Sequence, residues 1–198
     1  MNIGLTGGIA TGKSTVSSMF LRKGALLVDA DVIAREVMLP GHPVLAEVAA
    51  HFGSGILLPD GHLDRKRLGE IVFNEPQERL VLNGITHPAI RGEIKRQIEE
   101  HEQKSPDRLI VVDIPLLFES NLQALYDQTV LVYVPRTLQL DRLMKRDGLS
   151  LEQAESRVNS QMDIEEKKKL ADVVIDNSGS LDDSQSQVDK LWNRMSGR

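Results

Sequence analysis

No cysteine occurs among the 198 residues, which excludes a disulfide framework, a thiolate metal site and a catalytic thiol. The five histidines, His42, His51, His62, His87 and His101, lack metal-ligand spacing. No apolar run approaches the ~20 residues that a membrane-spanning helix needs. The first residues lack the basic and then apolar make-up of a secretion signal. Positive charge is not in excess: the formal net charge is −5, which argues against general binding to nucleic acid or to an anionic membrane surface. Internal repeats and low-complexity segments are also missing. What is present is an ordinary globular composition, 40% hydrophobic and 27% charged, long enough for one domain or for one core with an inserted subdomain. A cytoplasmic enzyme is the expectation.

The first fifteen residues carry the strongest signal. Asn2-Ile3-Gly4-Leu5-Thr6 reads as a short apolar strand. It leads into Gly7-Gly8-Ile9-Ala10-Thr11-Gly12-Lys13-Ser14-Thr15, which satisfies G-x-x-x-x-G-K-[ST] at every fixed position. Val16, Met19 and Phe20 then recur at helical spacing. Strand, glycine loop and helix in that order form the context in which the motif is a phosphate site. Glycines let the backbone approach an anion, inward-pointing N–H groups and the helix N-terminus hold phosphate oxygens, Lys13 supplies a point charge, and the Ser14 hydroxyl is the usual Mg²⁺ ligand. Binding of a nucleoside triphosphate through Gly8 to Thr15 is therefore expected.

The rest of the chain predicts an α/β fold. Ala25 to Val28 reads as a second strand that delivers Asp29 and Asp31 to a carboxyl edge, where ligands sit in open parallel sheets. Asp31 suits the N-cap of a helix over 32–38, so capping and function both remain open for this pair. From Pro40 to about Ser105 no good strand occurs. Helices are expected over 44–52, 65–73, 76–82 and 88–101, with a turn at Pro59-Asp60-Gly61 and with Thr86 capping the last helix. Arg108 to Asp113 is an apolar run ending in Asp, the form of a buried parallel strand and the position of a Walker B aspartate. Leu116, Leu117, Phe118 and Glu119 follow Pro115. Strands are expected over 129–134 and 171–176, with helices over 138–145, from Ser150 onward, and over 181–195. Arg142 with Arg146, and Arg157 with Gln161, are each four apart on a helix face. Their helices, hung between two strands, have the make-up of a lid.

The chain closely resembles the dephospho-coenzyme A kinase family over nearly its whole length. The residues that carry the resemblance are Thr6 to Ser14, Asp29-Ala30-Asp31 with Ala34-Arg35, Thr86-His87-Pro88 with Arg91, Pro115 to Glu119, Arg146-Asp147 with the Arg157 to Gln161 stretch, and Ala171-Asp172 with Asp176-Asn177. Members often carry Gly and Ser where this chain has Ala10 and Thr11, both at variable loop positions, so no loss of activity is expected. The resemblance implies a P-loop fold with a five-stranded parallel sheet flanked by helices. It implies a core over about 1–39, 107–147 and 171–198, a helical substrate-binding insertion over about 40–106, and a lid over about 148–170.

The same resemblance implies transfer of the γ-phosphoryl group of ATP to the ribose 3′-hydroxyl of dephospho-CoA, with Mg²⁺. It implies Asp31 as the base, with Asp29 as alternate, and Lys13, Arg142 and Arg146 on the phosphates. Arg157 is expected to join from the lid, Asp113 to assist Ser14 at the metal, and Asn177, by its position alone, to border the adenine. Arg35, Thr86, His87, Arg91 and Leu116 to Glu119 face dephospho-CoA. Another P-loop kinase of the shikimate or nucleotide type is the nearest rival, and a nucleotide sensor that transfers nothing is the rival from another class. A GTP switch is disfavoured because no Asn-Lys-x-Asp guanine motif occurs.

Overall fold

The computed structural model describes residues 1–196, so the last two residues of the core segment expected over 171–198 lie outside the described residues. Its strands are β1 (Asn2–Gly7), β2 (Leu26–Asp29), β3 (Ile110–Asp113), β4 (Gln128–Tyr133) and β5 (Val173–Asp176). They form one sheet in the order β2-β3-β1-β4-β5, and the β1–β3, β1–β4 and β4–β5 pairings are parallel. Parallel neighbours need crossovers, and helices supply them. Leu5 lies opposite Asp113, Gly7 opposite Val132, and Tyr133 opposite Asp176. The carboxyl ends of four strands therefore share one edge, with the glycine loop in their midst.

Helix α1 (Lys13–Arg22) follows β1 directly. Val16, Met19 and Phe20 are buried, as their spacing predicts. They pack against Ile3, Leu5, Val111, Val130, Val132 and Ile175 of the sheet, and against Val188, Leu191 and Met195 of α9 (Leu181–Ser196). Gly24, at φ +99, ends the segment where an L side chain would be strained. Between β4 and β5 run α6 (Arg136–Asp147), α7 (Leu151–Asn159) and α8 (Ile164–Leu170). Ser150 and Gln153 complete the expected capping box of α7. The same helix ends at Asn159, so Gln161 does not share a face with Arg157. It lies in the link to α8, which Asp163 caps.

The chain divides into two compact units, Met1–Val28 with the chain from Glu100 onward, and Asp29–Glu99. The second unit holds α2 (Ala30–Glu36), α3 (Pro43–Phe52), α4 (Arg65–Asn74) and most of α5 (Pro76–Lys104). The ring of His51 on α3 meets the Glu78 carboxylate on α5 at 2.7 Å. The expected turn at Pro59-Asp60-Gly61 is present, closed by the Leu58 N–H on the His62 carbonyl at 2.7 Å. Among the described residues, no helix is long and apolar enough to cross a membrane.

Two local expectations are corrected. The helices expected over 76–82 and 88–101 are one continuous helix of 29 residues with Pro88 inside it. Proline removes one N–H and sets its ring against the carbonyl four residues back, but does not by itself forbid a helix. That carbonyl belongs here to Gly84. Thr86 caps nothing: its hydroxyl donates to the Leu82 carbonyl at 2.9 Å and secures the turn before the proline. The cap of α2 is Asp29, not Asp31. Asp29 has extended backbone and its Oδ1 accepts from the N–H groups of Asp31 (2.9 Å) and Val32 (3.0 Å). The helix starts one residue after the strand, so the first aspartate is the one in capping position.

Asp29→Ala should lower unfolding stability by about 1 kcal/mol, the usual worth of an N-cap, whereas Asp29→Asn keeps a capping oxygen and should stay within a few tenths. Urea unfolding measures both. Equal midpoints for Asp29→Ala and wild type would remove the cap from the account.

Candidate active site

The glycine loop is built by satisfying its outward-facing polar groups. Buried backbone groups must find partners, and here side chains supply most of them. The Gly7 carbonyl accepts from Lys167 Nζ at 3.2 Å. The Gly8 carbonyl accepts from the Thr11 hydroxyl at 2.9 Å. Ile9 is held twice, its carbonyl by Gln139 Nε2 at 2.9 Å and its N–H by Gln161 Oε1 at 2.8 Å. The Thr11 carbonyl accepts from Asn177 Nδ2 at 2.8 Å. Two glycines are required by these approaches. A Cβ on Gly8 would run into the Gln139 amide, and one on Gly12, at φ +86, into the Asn177 amide.

Inside the loop, α1 begins at Lys13. The N–H groups at its start precede the first bond that closes the helix, Thr15 N–H on the Gly12 carbonyl at 3.0 Å, and a helix start of this kind suits an anion, with the dipole behind it. Ser14 and Thr15 are exposed in that first turn. Lys13 pairs with Asp113, which the β1–β3 register brings beside the loop. A cavity of about 430 Å³ opens here, lined by Ala10, Gly12, Thr15, Arg142, Arg146, Asn177, Gly179 and Leu181. The sequence-predicted Ala10, Gly12, Thr15, Arg142, Arg146 and Asn177 thus meet at one cavity. Asn177 is less free than expected: its amide braces the loop, its Oδ1 accepts from Ser184 at 2.7 Å, and its carbonyl accepts from Arg142 at 2.9 Å.

Asp147 binds two predicted arginines, Arg146 through Nε at 2.7 Å and Arg157 through Nη1 at 2.9 Å. The Arg146 guanidinium holds the Asp147 carboxyl below its usual range, with Arg157 adding to the effect. The segment after β3 is mostly closed. Leu117 and Phe118 are buried and only Leu116 is exposed. Glu119 Oε1 meets Lys167 Nζ at 2.8 Å and accepts from the Met162 N–H at 3.0 Å. In the unit Asp29–Glu99, Asp31, Arg35 and Arg91 are exposed, Thr86 is buried, and His87 is half-buried. Burial, and then the Arg91 charge, push His87 below its ordinary value, which favours the uncharged ring.

Residue-by-residue prediction missed Lys167, Gln139 and Ser184, and gave Gln161 a helix face it does not have. Lys167 stands in a run of three lysines, which reads as a solvated surface. Its side chain is instead 0% exposed, on the same face of α8 as buried Ile164. Its three ammonium hydrogens match three acceptors: the carbonyls of Gly7 and Pro115 (3.4 Å) and the Glu119 carboxylate. The i, i+3 spacing from Ile164 was the available signal.

Ala10 sits at φ +61, a region that L residues other than glycine seldom enter. Its methyl packs with Leu143, Ala154 and Val158 of α6 and α7. Ala10→Gly removes about 1–2 kcal/mol of left-handed strain but also the methyl contact and some unfolded-chain restriction, each worth somewhat under 1 kcal/mol. The net change in urea unfolding should be within about 1 kcal/mol, whereas β-branched Ala10→Val should lose both stability and ATP affinity. Tolerance of valine would contradict this backbone geometry. Lys167→Ala removes one partner of a buried ion pair, an effect of about 3–5 kcal/mol. A melting temperature equal to wild type would show that the pair contributes nothing.

The dephospho-CoA kinase family model matches residues 1–183. The dephospho-CoA kinase of Bacillus licheniformis is 50% identical over 189 residues, 96% of this chain and 94% of that protein. Among solved structures, dephospho-CoA kinase from Campylobacter jejuni is 36% identical with a TM-score of 0.76, over 99% of this chain and 97% of that one. A shikimate kinase from Acinetobacter baumannii reaches 16% identity and a TM-score of 0.51, over 98% and 92%. That is a likeness of fold alone. With a family match that spans the loop, the sheet and the helices between β4 and β5, the chain belongs to the dephospho-CoA kinase family.

Proposed function

We propose that the chain catalyses transfer of the γ-phosphoryl group of ATP to the ribose 3′-hydroxyl of dephospho-CoA, giving coenzyme A and ADP, the last step of coenzyme A synthesis. The observation that carries this is the family match over residues 1–183, joined to an intact phosphate loop opening on a cavity that also holds Arg142 and Arg146.

Phosphoryl transfer asks a protein mainly for alignment and for neutralisation of charge. The N–H groups of the loop and of the first turn of α1 hold the β- and γ-phosphates. Lys13, a compact charge on a flexible stem, turns from Asp113 to the outer phosphate oxygens. Arg142 and Arg146 meet the same anion, and Arg157 joins them when the segment over about 148–170 closes as a lid. Arginine suits this task because its fork is always charged and binds phosphate oxygens in pairs. Asp31 accepts the proton of the 3′-hydroxyl as the oxygen attacks. The new O–P bond forms while the γ-phosphorus parts from the β-bridging oxygen, and ADP leaves. Asp29 is committed to its helix, which supports Asp31 for this role. Arg35, Thr86, His87, Arg91 and Leu116 contribute to holding the acceptor, His87 as an uncharged hydrogen-bonding group.

Mg²⁺ fits the residues present as a partner of the nucleotide rather than as a resident ion. Among the described residues no group of three His, Cys, Asp or Glu could cage a metal, whereas the exposed Ser14 hydroxyl and the Asp113 carboxylate suit an ion that takes most of its oxygens from phosphates and water. Bound there, it would neutralise charge between the β- and γ-phosphates. Dependence on ATP supports a cytoplasmic setting.

A coupled ADP-release assay with ATP, Mg²⁺ and dephospho-CoA, with the product checked by mass, tests the reaction. Release should require dephospho-CoA and add one phosphate to it; release without an acceptor would leave an ATPase. Asp31→Asn should lose ~10²-fold or more in kcat, as removal of a general base commonly does, with ATP affinity and melting temperature unchanged. Wild-type turnover in that variant would remove Asp31 as the base.

A further inference from the structure

We propose that Gln139 and Gln161 are positioning residues for phosphoryl transfer: by gripping the carbonyl and the N–H of Ile9, they hold Ala10 in its left-handed conformation and so set the shape of the phosphate loop. This rests on that loop being the ATP site.

Four observations support it. Both polar backbone groups of Ile9 are taken by side chains from distant parts of the chain, at 2.9 and 2.8 Å, so the peptides on either side of Ile9 cannot rotate without breaking a bond. The next residue, Ala10, stands at φ +61, a conformation that persists in a non-glycine residue when its surroundings over-determine it. Gln139 is 2% exposed, and its Oε1 is buried without a hydrogen-bond partner. An apolar side chain of the same volume would suit that interior better, so the bond to Ile9 is what the amide contributes. The amide also crosses the space that a side chain at position 8 would fill, and only glycine leaves it open.

The two grips differ in what else they fix. Gln139, Arg142 and Arg146 fall at i, i+3 and i+7 of α6, one face of that helix. Docking Gln139 on the loop therefore sets the distance from both arginines to the phosphates. Gln161 lies between α7 and α8, and its neighbour Met162 is tied through its N–H to Glu119. The link is thus pinned to the loop on one side and to the segment after β3 on the other. Both glutamines act through Ile9 and the loop.

The test exploits opposite hydrogen-bond roles. Gln161 uses its oxygen, which Gln161→Glu retains; Gln139 uses its NH₂ group, which Gln139→Met loses outright and Gln139→Glu loses when ionised. Gln161→Glu should keep kcat close to wild type. Gln139→Glu, Gln139→Met and Gln161→Met should lose ~10–10²-fold in kcat, the scale of a small misplacement of reacting groups, with KM for dephospho-CoA unchanged. The methionine variants keep the volume and stand in should the buried glutamate fail to fold, and melting temperatures are measured for all. Equal loss in the two glutamate variants, wild-type kcat in both methionine variants, tighter ATP binding by Gln161→Met, or losses that track melting temperature would each overturn the proposal. Amide exchange over residues 7–13 decides it even if the wild type transfers nothing to dephospho-CoA. Exchange should quicken in both methionine variants and stay slow in Gln161→Glu, and unchanged exchange in the methionine variants would refute the grip.

Discussion

The structure depends on one constraint: the glycine loop turns its carbonyls towards the protein, and those carbonyls need donors. Lys167, Gln139, Asn177 and the Thr11 hydroxyl are those donors. They come from α8, α6, the turn after β5 and the loop itself, so nearly every element at the carboxyl edge of the sheet closes on the same few peptides. The sheet order follows the same need. With β1 at the centre, β3 delivers Asp113 on one side while β4 and β5 lead into the donors on the other.

Lys167 shows how far this goes. A buried ammonium is tolerated only when paired and fully bonded, and this one is met by two carbonyls and a carboxylate. It joins the first residue of the loop to the segment after β3. The segment that carries Glu119 and the loop expected to carry ATP are therefore mechanically continuous through one side chain.

Much of this was legible in the sequence, and the rest was not for identifiable reasons. The strand, loop and helix at the N-terminus announced themselves because glycine, lysine and serine are fixed by backbone chemistry at each position. The strands ended within a residue or two of expectation because apolar runs ending in Asp or Pro leave little choice. Local ambiguity defeated the cap of α2, where two aspartates stand one residue apart and the strand's true end decides between them. It also defeated Pro88, which signals a helix start unless the helix on both sides is strong enough to carry it. The braces of the loop were hidden for a different reason. Glutamine and lysine are ordinary surface residues in composition, and only the fold, by bringing residues 139, 161 and 167 to residues 7 and 9, gives them a task. Gln161 reads as a continuation of the helix before it because Ser160 is no strong breaker, whereas that helix ends at Asn159. No pattern in one sequence reports such long-range pairings.

Asp147 has a further consequence. Loose arginines lose much side-chain freedom when they clamp a ligand, roughly 2 kcal/mol each. Arg146 and Arg157 already share one carboxylate, with Arg146 held through both Nε and Nη2. An incoming anion at these side chains therefore exchanges with a resident carboxylate instead of freezing two mobile chains. Part of the ordering entropy has been surrendered in folding, with Asp147 holding both guanidiniums.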